Sequence, residues 1–209
     1  MTGPTSDIAF TPTVKAIQTE RGSRAAYAKM EARGGFRTEI GDDLVAFLAE
    51  VDTAYLATSN ASGQPYAQHR GGPKGFLRVV DSHTIGFADF TGNRQYVSTG
   101  NLLENPKAFL FLMDYAHRRR IKIWGRASVV NDDPELIARL MPEGYRAKPQ
   151  QVILFEVEAW EGNCPQHIPQ KLDAADVAEA VTRLEARIAG LEAENAALRA
   201  TLARKDLST

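Results

Sequence analysis

"KAFLFLMDYAHRRRIKIWGRASVV" runs from Lys107 to Val130. Its first half, "KAFLFLMDY", is nearly all apolar, as expected of a strand buried on both faces. Its second half alternates. Ile121, Ile123, Gly125 and Ala127 fall on one face, and Arg120, Lys122, Trp124 and Arg126 on the other. Strands continue outward from this pair. "TAYLATSNASGQPYAQHR" (53–70) reads as strand, turn, strand, with Asn-Ala-Ser-Gly between two runs of strand formers. "FLRVVD" (76–81) and "HTIGFADF" (83–90) are short strands, and "QVILFEVEAW" (151–160) is the last. The helices between them are short. "GDDLVAFLAEV" (41–51) places Asp42 or Asp43 at its cap, with Leu44, Phe47 and Leu48 on one face; "DDPELIARLM" (132–141) is capped by Asp132 or Asp133. Roughly six or seven strands with few long helices favour an antiparallel barrel over a doubly wound sheet. Residues 13–32 read as a polar helical arm, with Ala16, Ile17, Ala25 and Tyr27 as anchors.

The 209 residues suffice for one sizeable domain with an appendage, and 44% hydrophobic residues support a real core. A net charge of −1 provides no global field for nucleic acid or membrane. The single cysteine, Cys164, excludes an internal disulfide and a cysteine cluster within one chain; it reads as a small, partly buried residue rather than a nucleophile. The four histidines show no HxxxH or HxH spacing, so no metal site is expected, although His69 is a formal candidate base or ligand. The opening residues lack a signal-peptide pattern and no apolar run is long enough to span a bilayer, so a soluble cytoplasmic protein is expected.

The tail differs in kind. From Val181 the apolar positions step by three and four: Val181, Leu184, Ile188, Leu191, Asn195, Leu198, Leu202. This is a heptad seam with mostly β-branched residues at a, leucine at d and one asparagine at a, a pattern that favours a parallel two-stranded coil. Arg187 at g faces Glu192 of a partner at e, and Glu194 faces Arg199. A helix lying on its own domain shows a wider apolar stripe. A leucine-zipper DNA binder fails because the entry, "KLDAADVAEA", is acidic where a basic region belongs.

"GFADFTGNRQYVSTGNLLENP" (86–106) reads as a strand end, a glycine turn at Gly92, and a helix opening on Asn93, Arg94 and Gln95. Capping by Asn93 is the ordinary reading. An arginine at a helix start is electrostatically odd, and together with free N–H groups it makes a seat for an anion such as phosphate. Further cations lie where a barrel can gather them: Arg70 ends a strand, and Arg120 and Lys122 share a strand face. Such a row is ordinarily solvated surface, but Trp124 on the same face points to a covered site. No GxSxG, P-loop or GxGxxG sequence occurs.

Taken in order, "LATSNASGQPYAQHRGG", "FLRVVD", "GFADFTGNRQY", "NLLENPKAFLFLMDY" and "RRRIKIWGRA" resemble the flavin-binding split barrel of the pyridoxamine 5′-phosphate oxidase-like proteins, over roughly residues 40–170. The resemblance implies a mainly β (α+β) fold: a six-stranded antiparallel split barrel over 41–172, behind an arm of 1–40 and before a coiled-coil helix of 173–209. It implies a homodimer with FMN in the groove between subunits. By this resemblance Arg94 is the phosphate-binding arginine and Gln95 replaces a lysine beside it. Arg78 falls on a basic residue of the preceding strand, and Ala88 and Asp89 on a pair lining the flavin. Arg120 replaces a flavin-contacting glutamine, and Trp160 matches a tryptophan supplied by the partner subunit. Arg120 and Lys122 are candidates for a cation beside the flavin's N1 edge. The true oxidases carry an Arg-x-His-x-Arg run after that tryptophan; here its places hold Gln166, Ile168 and Gln170. The expected function is FMN-dependent oxidation or reduction of a small molecule other than pyridoxamine phosphate. The alternative is an FMN- or deazaflavin-binding module without turnover of its own.

Overall fold

The structure is a computed structural model and describes residues 3–163 and 165–206, which leaves Cys164 outside. The chain divides into two compact units. One comprises the chain through Asp114 with Arg118–Ile168; the other comprises Tyr115–His117 with the chain from Pro169 onward. The first unit begins with a 3-10 turn, Thr5–Ile8, and helices α1 (Pro12–Glu20), α2 (Arg24–Glu31) and α3 (Asp42–Glu50). Strands β1 (Thr53–Ser59), β2 (Pro65–Gly71), β3 (Arg78–Val79) and β4 (Thr84–Phe90) follow. Then come α4 (Val97–Glu104), β5 (Lys107–Asp114), β6 (Arg119–Val130), α5 (Pro134–Leu140) and β7 (Pro149–Asn163).

Local chemistry explains most boundaries. Thr11 and Asp133 cap α1 and α5, accepting from Val14 N at 3.3 Å and Leu136 N at 2.9 Å, each with proline at the first helical position. The cap of α3 is Gly41 rather than either aspartate. Asp42 and Asp43 sit in the first turn, where the helix dipole favours negative charge. The Asn60–Gln64 turn closes the β1–β2 hairpin: Asn60 Oδ1 accepts from Gln64 N at 2.9 Å, and Gly63 takes the left-handed φ of 86°.

All neighbouring strands are antiparallel, in the order β2-β1-β5-β6-β7-β4-β3. The sheet has seven strands where the resemblance implies six; the shortest, β3, holds two residues. No ladder joins β2 to β3 among the described residues, so the sheet is open there. It is nevertheless strongly curled. Strands β2 and β4 stand first and sixth, which would put them about 24 Å apart in a flat sheet at roughly 4.8 Å per strand. Yet Arg70 of β2 and Asp89 of β4 form a direct ion pair. A single core cluster includes Leu44, Phe47 and Leu48 of α3, Leu56 of β1, Phe87 of β4, Leu110 and Leu112 of β5, Ile123 of β6, and Phe155 of β7.

β6 alternates as its sequence predicts: Ile121, Ile123, Gly125 and Ala127 are buried, and the intervening residues are half-buried or exposed. Gly125 sits at a bulge against β7, where a Cβ would lie 1.9 Å from the Glu156 carbonyl oxygen; only glycine fits. β5 is not buried on both faces. Ala108, Leu110 and Leu112 point to the core, while Phe109 and Phe111 are half-buried. Trp124 of β6 lies over Phe109 at 5.1 Å and is covered by Phe36, stacked at 5.1 Å and 11°. The cover expected over Trp124 is therefore the protein's own N-terminal segment. That segment is anchored by Phe10, in ring contact with Tyr27 and Phe36, and by buried Gln18, which accepts from Arg24 at 2.6 Å. Of the expected anchors, Tyr27 meets the Phe10 ring although it is partly open to solvent, while Ala16, Ile17 and Ala25 are exposed.

The second unit contains α6 (Ala174–Asp206). Within it the Lys171 ammonium lies 4.3 Å from the Tyr115 ring centroid, and Gln170 Nε2 donates to the Ala116 carbonyl at 2.9 Å. No described helix is long and apolar enough to cross a membrane.

Candidate functional site

The loop of residues 91–96 connects β4 to α4, and the helix starts at Val97 rather than at Asn93. Asn93 does not cap it. Its Oδ1 accepts the Gln95 N–H at 3.2 Å, an Asx turn that competes with helical geometry. Gly92 does not carry the left-handed burden either. Arg94 (φ 59°) and Tyr96 (φ 55°) carry it. Tyr96 is the N-cap residue and its side chain makes no capping bond, so the first turn of α4 has no side-chain cap.

Arg94 is exposed, and its Nε donates to Tyr96 Oη at 3.2 Å. Gln150 Nε2 donates to the same oxygen at 2.7 Å. Arg94 first, and Gln150 second, hold the Tyr96 phenol below its ordinary pKa. No carboxylate among the described residues pairs with Arg94.

Behind this loop lies a polar network. The Arg70 guanidinium pairs with Asp89 and donates to Gln68 Oε1 at 3.0 Å, while its Nε is buried without a partner. Gln151 Nε2 donates to Asp89 Oδ2 at 2.7 Å and to Thr99 Oγ1 at 3.0 Å. Ser98 Oγ donates to Gln68 Oε1 at 3.0 Å. Both Asp89 oxygens are thus engaged, and Arg70 and Asp89 cancel one another's charge. Arg94 is the cation left unbalanced in this hollow.

A separate cavity of about 530 Å³ is lined by Phe36, Arg37, Phe47, Arg120 and Trp160, among others. Arg120 is half-buried, with no partner among the described residues. Trp160 is committed within its own chain. It is 3% exposed, its Nε1 donates to the Glu39 carbonyl at 2.8 Å, and the Arg37 guanidinium lies 4.1 Å over its ring. Arg37 is held in turn by Asp43, whose carboxyl it keeps below the usual range.

The structure therefore gathers Arg70, Asp89, Asn93 and Arg94 in one hollow and Arg120 with Trp160 in another. Lys122 joins neither. It pairs with Glu161 and lies 5.2 Å from the Trp124 ring, so of the two proposed flavin-edge cations Arg120 alone keeps its charge unpaired. Arg78 reaches the Met141 carbonyl at 3.4 Å with its Nε buried and unpartnered, and it does not line the Arg94 hollow. Ala88 is buried in β4, and Gln95 lies exposed on the loop. Sequence reasoning missed Gln68, Tyr96, Gln150 and Gln151. Gln68 was within reach, since it lies two residues from Arg70 on the same strand face.

Residues 40–164 match the family model described as pyridoxamine 5′-phosphate oxidase, and the chain belongs to that family. No curated protein matches it. Among solved structures it is similar to HupZ of Group A Streptococcus, with 18% identity and a TM-score of 0.49 over 64% of this chain and 99% of that one. It is also similar to General Stress Protein 26 of Bacillus anthracis, with 14% identity and a TM-score of 0.43 over 56% and 88% of the two chains. An F420 reductase shows 19% identity and a TM-score of 0.40 over 56% and 94%. All three scores lie below 0.5, so family membership rests on the sequence match.

Proposed function

We propose that this protein binds FMN as a homodimer and transfers hydride to or from a small molecule other than pyridoxamine phosphate. The observation that carries the reading is Arg94: an exposed guanidinium with no carboxylate partner among the described residues, in the loop that leads into the uncapped start of α4. Free helix N–H groups and a guanidinium together suit a phosphate, which brings about −1.5 to −2 charges. The hollow fits that group because its one carboxylate, Asp89, is already neutralised by Arg70 and Gln151 and does not repel an anion.

Bound FMN supplies the hydride chemistry at its ring. The chain's part is positional and electrostatic. Arg94 and the α4 start hold the phosphate. Arg120 offers an uncompensated positive charge, the kind that stabilises negative charge developing on a reduced ring. A groove shared between two copies accounts for Arg94 and Arg120 lining different hollows of one chain. Asp89 has both oxygens engaged and so acts as a structural charge rather than a base. Orientation of the reactants, which by itself supplies much of the catalysis in such transfers, needs no further acid or base.

The test is direct. The purified protein should be yellow and release FMN on denaturation. Arg94→Ala should weaken FMN binding by roughly 10- to 150-fold, the loss of a charge-assisted contact of about 1.5–3 kcal/mol. Arg126→Ala, on the exposed part of β6, should bind as the parent does. Equal affinities for the two variants in a flavin fluorescence titration would remove the phosphate assignment. NAD(P)H oxidation by the loaded protein separates an enzyme from a flavin-holding module.

A further inference from the structure

The α6 seam is a second feature, independent of the flavin reading. Val181, Leu184, Ile188, Leu191, Leu198 and Leu202 are between 39% and 62% exposed, all on one stripe of a 33-residue helix about 50 Å long. Long helices draw most of their stability from burying such a stripe. We propose that it is buried against α6 of a second copy, as a parallel, in-register, two-stranded coiled coil.

Three features select that occupant and that orientation. First, the seam keeps a 3.5-residue step from Val181 to Leu202, narrower than the stripe of a helix seated on a globular surface. Second, the flanking charges complement this chain's own sequence. In a parallel pair Arg187 at g meets Glu192 of the second copy at e, and Glu194 meets Arg199. Both contacts are attractive, and each occurs twice by symmetry. Third, Asn195 fixes direction. In the parallel register it faces Asn195 of the other copy, and the two amides can hydrogen-bond each other. In an antiparallel pair an a position faces a d position, and the d positions Val177, Leu184, Leu191 and Leu198 are all apolar. The amide would then be buried without a partner, which is costly. The β-branched Val181 and Ile188 at a, with leucine at d, favour two strands over three or four.

Disulfide trapping in the full-length chain tests this. Cys164→Ser leaves a single introduced thiol. Val181→Cys should then oxidise to a species that runs at twice the chain mass without reductant. Ala186→Cys, on the outer face of the same helix, should remain at single mass. In an antiparallel pair centred on the seam, the two Val181 positions lie about 25 Å apart and cannot bridge. Instead, Val181→Cys mixed with Leu198→Cys would cross-link, and that result overturns the proposed orientation. Trapping at neither position, or equal trapping at Ala186→Cys, overturns the coil itself. Both sites are exposed in the single chain, so neither thiol threatens folding, and neither lies near the Arg94 hollow in sequence.

Discussion

Arg94 and Tyr96 both hold left-handed backbone, at φ 59° and 55°, in a loop whose glycine does not. Non-glycine residues in this region cost of order 1–3 kcal/mol each, and such strain gathers where side chains must be aimed. Here the aim puts two side chains in contact. The Arg94 guanidinium stabilises the Tyr96 phenolate and lowers that group's pKa. A phosphate seated on Arg94 disfavours a phenolate beside it, so flavin affinity should fall as pH rises through the lowered Tyr96 pKa, starting below the ordinary phenol value of about 10. By linkage, bound flavin should push the Tyr96 pKa back up. Titrating FMN affinity against pH for the parent and for Tyr96→Phe checks this, and the difference between them cancels ionisation of the flavin itself. Tyr96→Phe should lose the alkaline fall; superimposable profiles would show that Tyr96 does not face the phosphate.

At the scale of elements, Arg70 and Asp89 meet across strands that stand first and sixth in the curled sheet. Their side chains are 13% and 11% exposed, so removing either one strands a buried charge. Arg70→Ala should destabilise the fold by about 3–5 kcal/mol, while Arg70→Met with Asp89→Leu together should cost much less. Denaturant unfolding of the single and double variants measures both; additive losses would mean that the two residues do not act as a pair. This contact also marks where sequence reading stops. The alternation of β6 and the β1–β2 hairpin are written in periods and turn residues, and the structure follows them. Asp89 meets Gln151 because the β4–β7 register sets them opposite one another, 62 residues apart, and no local pattern reports that. α4 starts later than its sequence predicts for a different reason. Asn93 has two local options, a helix cap and an Asx turn, and the turn wins, moving the helix to Val97. Trp124 signalled a covered site, but the sequence could not show that Phe36 is the cover. Likewise, Trp160 carried the right residue type for a flavin contact, while its commitment to Arg37 and Glu39 depends on chain segments far apart in sequence.

On the scale of the whole molecule, family membership sets the fold but not the substrate, and the segment after β7 argues against the family's name reaction. The true oxidases, by the resemblance above, hold their phosphorylated substrate with two arginines and a histidine in this segment. Here those places are Gln166, Ile168 and Gln170. Ile168 is 4% exposed, so its side chain is buried rather than presented to a ligand. Gln170 spends its amide on the Ala116 carbonyl at 2.9 Å. The cations one place along do not replace what is missing. Lys171 lies over the Tyr115 ring, and His167 is exposed on a left-handed backbone. An anionic substrate entering such a site would lose its charge-assisted bonds while still paying to leave water, a deficit of about 1.5–3 kcal/mol for each missing partner. With two arginines absent, catalytic efficiency toward pyridoxamine phosphate should fall by roughly 10²–10⁴-fold relative to a dedicated oxidase. Restoring the cations through Gln166→Arg and Gln170→Arg should recover little, because Ile168 between them is buried and supplies no imidazole. A steady-state assay under oxygen, with the FMN-loaded protein and pyridoxamine phosphate, decides the matter. Pyridoxal phosphate formation at the turnover of a dedicated enzyme would show that this segment grips the substrate by contacts other than the three it has lost.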